Sequence, residues 1–358
     1  KIFKIIGIII GILVIALLAY LIYLYASYHR IEDNLPLEVE SRVEQADAKL
    51  TTGKEYSALT YNIGFGAYTP EFSFFMDGGK SSWAKSKESV ESDIQGAGEL
   101  VASKDPDFAL IQEVDLNSTR SYHVDEYSIL KDTIPSYNTV FAQNYDSAFL
   151  FYPFTQPHGR SRSGLALFSK YPVTDSLRRS FPISTSFSKF FDLDRCYSIS
   201  RVPVDNGKEL AIFLLHMSAY GNSDAIREAQ IRMLSADMEK EYEAGNYVLC
   251  GGDFNHDLKA SEKNAENCES WAYPFPREEL PEHFSFCLDN LSDSEKDALW
   301  DSARNADMEY VPGVTYTVTL DGFITSDNIE CTEYENVNTG YSYSDHDPVY
   351  MKFKLLDE

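Results

Sequence analysis

The sequence predicts an α/β sandwich, mixed β-sheets packed on each other with helices outside, preceded by a single membrane-spanning helix. Three observations carry the expectation: a long uncharged apolar run at the N-terminus, a succession of short β-type runs with only a few helical stretches between them, and no internal repeat or low-complexity segment. At 44% hydrophobic and 14% aromatic residues, the chain has ample material for a large core.

The first element is the apolar run. No charge occurs between Lys4 and His29, so roughly 24 residues, about 36 Å as a helix, are available to cross a hydrocarbon layer of about 30 Å. A cleaved signal peptide is the competing reading, but its apolar core would be about 7–15 residues, and no small-x-small cleavage site follows. Residues 1–30 are therefore expected to be an uncleaved, single-pass anchor in the cell membrane, with Tyr20, Tyr23, Tyr25 and Tyr28 at the interface. Lys1 and Lys4 precede the span while His29, Arg30, Glu32 and Asp33 follow it, a positive-inside bias from which the rest of the chain is expected on the extracellular or periplasmic side.

Residues 31–54 are polar and read as a juxtamembrane linker, with a short helix in "LEVESRVEQADAKL", and residues 55–358 form the expected catalytic domain. Its first strand is "SALTYNIG". Residues 87–103 are helical because Val90, Ile94, Ala97 and Val101 share one face. "FALIQEV", "YNTVFA", "GLALFS" and "CYSISRVPV" follow as strands, and "DNG" at 205–207 turns into "ELAIFLL" as a hairpin. Residues 224–240 are helical and "YVLC" is a buried strand. "TYTVTL", "GFITS" and "PVYMKFKL" complete the strands. The acidic stretch 259–301 reads as an irregular surface excursion, or as a lid.

Net charge is −25, which argues against tight passive binding of nucleic acid, though not against an enzyme that meets a phosphate through a divalent metal. The five cysteines include no C-x-x-C pair, so structural zinc and dithiol redox chemistry are not indicated. One bridge, Cys268 with Cys287, is expected outside the cell. No EF-hand loop is present to support calcium-dependent adhesion.

Five polar clusters stand at or just past strand ends: "TYNIG" (Asn62), "LIQEVD" (Glu113), "LLHMSAYG" (His216), "GGDFNHD" (Asp253, Asn255), and "LDGFITSDN" (Asp321) with "SDHDPV" (Asp345, His346). Each alone passes for a solvated strand end or a plain turn. Together, in one chain, they offer carboxylates, amides and imidazoles at the places where a sheet presents side chains to a ligand.

In these motifs the chain resembles the endonuclease/exonuclease/phosphatase superfamily, whose best known branch is deoxyribonuclease I-like. The likeness runs from about residue 55 to 355, with "GGDFN" and "SDHDPV" as its most specific elements and "GLALFSKYPV" and "REAQIRML" in support. It implies a four-layer α/β sandwich of two mixed β-sheets flanked by helices. It also implies a metal-dependent phosphoric ester hydrolase in which Mg²⁺, or Mn²⁺, is held by Glu113 with Asn62 and Asp345 near it. By the same resemblance Asp253 orients or deprotonates the attacking water, and Asn255 holds that water or a phosphoryl oxygen. His346 faces the phosphoryl group with Asp321 as its partner, and His216 lines the cleft. The substrate stays open between nucleic acid and a phospholipid headgroup. A phosphomonoesterase, or an inactive binding protein on the same fold, is the alternative, and a monomer is expected. Arg160, Arg162 and Arg195 are further candidates for anion contacts.

Overall fold

The computed structural model describes residues 1–42, 48–219, 224–260 and 271–357. In chain order the elements begin with α1 (Ile2–Ser27), β1 (Leu35–Pro36), β2 (Val39–Glu40), β3 (Glu55–Asn62), α2 (Lys87–Lys104), β4 (Phe108–Asp115) and α3 (Glu126–Thr133). Then come β5 (Asn138–Asp146), β6 (Arg162–Ser169), β7 (Asp175–Ser180), β8 (Cys196–Pro203), β9 (Glu209–His216), α4 (Asp224–Glu243) and β10 (Tyr247–Asp253). The last are β11 (Phe284–Phe286), α5 (Asp293–Ala298), β12 (Ala303–Arg304), β13 (Thr317–Val318), β14 (Asp321–Ser326), β15 (Ile329–Asn336) and β16 (Val349–Leu355).

Two seven-stranded sheets result, ordered β15-β16-β3-β4-β6-β5-β2 and β1-β7-β8-β9-β10-β14-β11. Both are mixed: β3 pairs parallel with β4 and β9 with β10, while the other neighbours run antiparallel. The sheets face each other across a core that includes Leu110, Leu167, Ile212, Leu249 and Phe353. The alternate residues of the same strands point outward. Ala109 and Ile111 pack on Val90, Ile94 and Val101 of α2, and Phe213 and Val248 pack on Ile231, Leu234 and Met238 of α4. This is the four-layer sandwich. Because central strands bury both faces, they read as continuous apolar runs rather than alternating ones.

α2 begins where its sequence says it should: the Ser86 hydroxyl accepts the Ser89 N–H as an N-cap. The 205–207 turn is also as expected, with Gly207 at φ +85° joining the antiparallel pair β8 and β9. α1 is one continuous helix with only Leu24 buried.

Several expectations are corrected. The stretch from 31 to 54 does more than link, since β1 adds to β7, β2 adds to β5, and Leu50 is fully buried against the Val204 backbone. A strand at 39–40 stands in place of the start of the expected short helix, and residues 43–47 lie outside the described residues. Of "TYTVTL", only Thr317–Val318 is strand, in a small ribbon with β12. The 259–301 stretch is largely built into the molecule: β11 pairs with β14, and Phe275 and Phe286 are buried in the outer core of that sheet. Cys268 lies outside the described residues, so its pairing does too, while Cys287 is a buried free thiol, as are Cys196 and Cys250.

Candidate active site

The site is assembled from strand ends of both sheets. Asn62 is the last residue of β3. Beside it, β4 slips register against β6 between Ile111 and Val114, and at this bulge Glu113 takes φ +58°. A bulge re-aims a side chain that regular pleating would bury, and Glu113 is the half-buried residue in an otherwise buried strand. On the other sheet, Asp253 at the end of β10 stands level with His216 of β9 on one side and Asp321 of β14 on the other. Three adjacent strands therefore deliver three polar side chains at one height.

Gly252 explains the local sequence before Asp253. Its φ is +148°, and a Cβ there would lie 2.1 Å from the Leu215 carbonyl oxygen, so only glycine fits. The chain then turns through Asn255, at φ +51°, whose N–H donates to Asp253 Oδ1 at 2.8 Å and whose side-chain amide donates to the Met217 carbonyl at 2.9 Å.

Asn62 joins the two halves. Its amide donates to Glu113 Oε1 at 3.2 Å and to Asp253 Oδ2 at 3.1 Å. His346, in the loop before β16, holds Asp321 Oδ2 through Nδ1 at 2.7 Å and presents Nε2 to Asp253 Oδ2 at 3.8 Å. His216 Nε2 lies 3.5 Å from the same oxygen. Ser302 donates to Asp321 Oδ2 at 2.8 Å and fixes that carboxylate from behind. Asp347, the third acid of "SDHDPV", turns away to hold Trp300 and Thr339 and is a scaffold residue.

A cleft of about 380 Å³ opens at these strand ends, lined among others by Glu113, Arg195, His216, Asp253, Asn255, Asp345 and His346. Burial works against a charge on His346, but Asp321 and Asp253 outweigh it and hold the imidazole well above its ordinary pKa, hence cationic. His216 goes the other way: burial, reinforced by the positive charges of Arg195 and His346, keeps it neutral. Burial and the Asp321 charge raise Asp253, against the pull of His346, the Asn255 N–H and Asn62.

The Asp345 carboxyl is raised by burial and further by Glu113, while His346 and Arg304 oppose this. Two neighbouring carboxylates that repel each other, Glu113 and Asp345, form a hard-oxygen pair suited to a small dication. Asn62, expected as a third ligand, turns its NH₂ to Glu113 and its oxygen to the Gly64 N–H at 3.1 Å, so it orients Glu113 rather than adding an oxygen. A second set of potential ligand atoms, from Asp253, Asp321 and His346, lies within a 4.8 Å span. There, however, the imidazolium already balances one of the two carboxylates.

Of the eight residues singled out as catalytic or metal-binding, Glu113, His216, Asp253, Asn255, Asp345 and His346 line this cleft, while Asn62 and Asp321 are buried behind it, bonded to Asp253 and His346. Arg160 does not line it, being ion-paired to Asp146 at the surface, and Arg162 is also absent from the lining. Arg195 is the sequence's least specific suggestion and the best placed. It is buried at the cleft wall, with Nε and Nη1 lacking any partner among the described residues. Trp271, Tyr68 and Asp77 line the cleft as well, and no local pattern in the sequence marks them.

The family model described as the endonuclease/exonuclease/phosphatase family matches residues 59–288, more than half of the chain. Among curated proteins, the inositol phosphosphingolipids phospholipase C of Schizosaccharomyces pombe is 24% identical over 208 residues, 54% of this chain. The chain spans 45% of that relative's length. Among solved structures, an endonuclease/exonuclease/phosphatase from Beutenbergia cavernae shares the fold with a TM-score of 0.60 and 13% identity, covering 85% of this chain and 72% of the other. TDP2 of D. rerio, solved with a single-strand DNA product, gives a TM-score of 0.54 and 15% identity, with 84% and 99% covered. The family match, over a sandwich whose two sheets end in this shared acidic cleft, establishes that the chain belongs to the endonuclease/exonuclease/phosphatase family.

Proposed function

We propose that the protein is a membrane-anchored phosphodiesterase that hydrolyses a phospholipid headgroup, with Mg²⁺ in preference to Mn²⁺ as its ion, acting as a monomer on the outer side of the membrane. The observation that carries the hydrolytic reading is the position of Asp253, which meets Asn62 from one side and His216 and His346 from the other at the cleft wall. The lipid assignment draws on three supports: α1 is long and apolar enough to span a bilayer, the charge of −25 disfavours polyanions, and the curated relative is named for a phosphosphingolipid.

In this mechanism Glu113 and Asp345 would hold the ion, with Asn62 orienting Glu113 through its amide N–H. When bound, the ion supplies Lewis-acid polarisation of a phosphoryl oxygen and charge stabilisation on the leaving oxygen. Asp253 takes the proton of the attacking water, and its raised affinity for protons suits it to that task near neutral pH. Asn255 fixes the Asp253 carboxylate through its backbone N–H, while its side chain lines the cleft. The His346 cation, fixed by Asp321, and the Arg195 guanidinium stabilise the charge that builds on phosphorus-bound oxygen. Neutral His216 offers one further hydrogen bond. The test is to compare wild-type and Asp253→Asn protein, as the full chain in a bilayer, for release of phosphorylated headgroup. Release by the wild type alone supports the proposal, and cleavage of DNA without lipid turnover refutes it.

A further inference from the structure

We propose that an aromatic rim beside α1 docks the catalytic domain into the outer leaflet of a glycerophospholipid bilayer, so that the cleft takes its substrate from the membrane surface rather than from solution. The inference deepens the lipid reading above and rests on it for the substrate.

Three separate loops build the rim. Phe154 is 84% exposed, Tyr152 65% and Met76 61%, with Phe151, Phe187 and Phe191 also exposed. Soluble surfaces seldom gather so many large apolar side chains, and those that do are interaction sites. The sequence is equally selective. In a chain with 56 acidic residues, the stretch 148–159 ("AFLFYPFTQPHG") has none.

Continuity with α1 identifies the occupant. Phe75, Met76, Phe151 and Phe154 share a groove of about 780 Å³ with Ala16, Leu17 and Tyr20 of the helix. Tyr20 meets Phe151 edge-on at 5.1 Å, and Tyr25 and Tyr28 meet Phe190 at 4.7 and 5.1 Å. Ten residues separate Leu17 from Ser27, about 15 Å along the helix. If α1 spans the bilayer, loops touching Tyr20, seven residues or about 10 Å below the helix end, sit at the deep limit of the roughly 5–10 Å to which interfacial side chains sink, and those touching Ala16 and Leu17 lie deeper. The backbone is prepared for such a place. The Tyr20 hydroxyl donates to the Phe149 carbonyl at 3.2 Å and the Tyr23 hydroxyl accepts the Phe149 N–H at 2.9 Å, so these groups need no water.

The rim is also next to the chemistry. Met76 lines the groove, and its chain neighbour Asp77 lines the catalytic cleft, so the cleft mouth opens beside the docked surface. A lipid headgroup reaches the cleft by a short lateral path along that turn.

The test uses the full chain in phosphatidylcholine nanodiscs. In Phe154→Trp, the emission added to that of the native tryptophans is expected to be quenched by acyl-chain-brominated phosphatidylcholine and shielded from aqueous iodide. Free quenching by iodide with none by bromolipid overturns the docking. A doubled particle mass in detergent that disappears in a Phe151→Ser, Tyr152→Ser, Phe154→Ser variant, without bromolipid quenching, also overturns it in favour of a second copy of the chain. That triple variant is expected to lose roughly tenfold or more of its turnover on bilayer lipid while keeping its turnover of a small soluble phosphodiester. Equal losses on both would show that the rim supports the fold and would overturn the proposal. Bromolipid quenching in a protein that hydrolyses no lipid would leave the docking intact and refute the substrate reading instead.

Discussion

Asp253 is fixed from every side: Asn255 and Asn62 donate to it, and two imidazoles face it. Replacing it with Asn keeps the shape and removes the proton acceptor, so Asp253→Asn is expected to lower turnover about 10²-fold or more with an unchanged circular dichroism spectrum. Arg195 offers a different diagnosis, because a buried guanidinium with two nitrogens unpartnered among the described residues costs stability. Arg195→Met is expected to melt no lower than wild type while losing about tenfold in kcat/KM, whereas a structural arginine would lose stability with activity. A residue away from the cleft tests the electrostatics. Burial depresses His256 from the ordinary histidine value of 6.5 to about 4. Between those values the unfolded chain binds the proton and the folded one does not, so this residue's contribution favours folding above pH 6.5 and is lost as pH falls towards 4. His256→Asn is therefore expected to gain on wild type in urea denaturation across that window, by on the order of 1–3 kcal/mol at its acid end. "GGDFN" and "SDHDPV" made most of the cleft legible in the sequence, because turn residues and catalytic groups share a few positions there. Arg195 was not distinguishable from other surface arginines, since its burial depends on strands far away in sequence.

Elements put these residues in place. Gly252 lets β10 lie against β9 where any side chain would meet the Leu215 carbonyl, and Asp253 follows directly. Gly252→Ala is expected to destabilise the protein by about 2 kcal/mol or more in chemical denaturation and to lower activity beyond what the remaining folded fraction explains. The central strands were readable because both faces are buried, leaving near-continuous apolar runs. β15, "IECTEYEN", was not, because it is an edge strand exposed along much of its length and so carries no clear period. β7 reads as polar for a related reason: its arginines pair with Asp33, Asp237 and the Asp194 region rather than with an apolar layer. β1 and β2 are two residues each and exist only through their partner strands.

At the scale of the whole molecule, the division of labour follows from charge and hydropathy. The chain is acidic, so on the proposed function an anionic substrate would be drawn into the cleft by a bound cation rather than by the surface as a whole. Glu113→Gln is accordingly expected to raise the Mg²⁺ concentration for half-maximal activity about tenfold or more, read from a metal titration, and an unchanged midpoint would remove Glu113 from the ligand set. On the proposed docking, the apolar helix and the aromatic rim set the surface on which the cleft works. The decisive measurement places the full chain in Mg²⁺-containing nanodiscs that carry a choline or inositol phosphosphingolipid and follows headgroup release beside cleavage of added DNA. Phosphorylated headgroup is expected with wild type and not with Asp253→Asn, while DNA stays intact. DNA cleavage that depends on Asp253, with the lipid untouched, would contradict the proposed function.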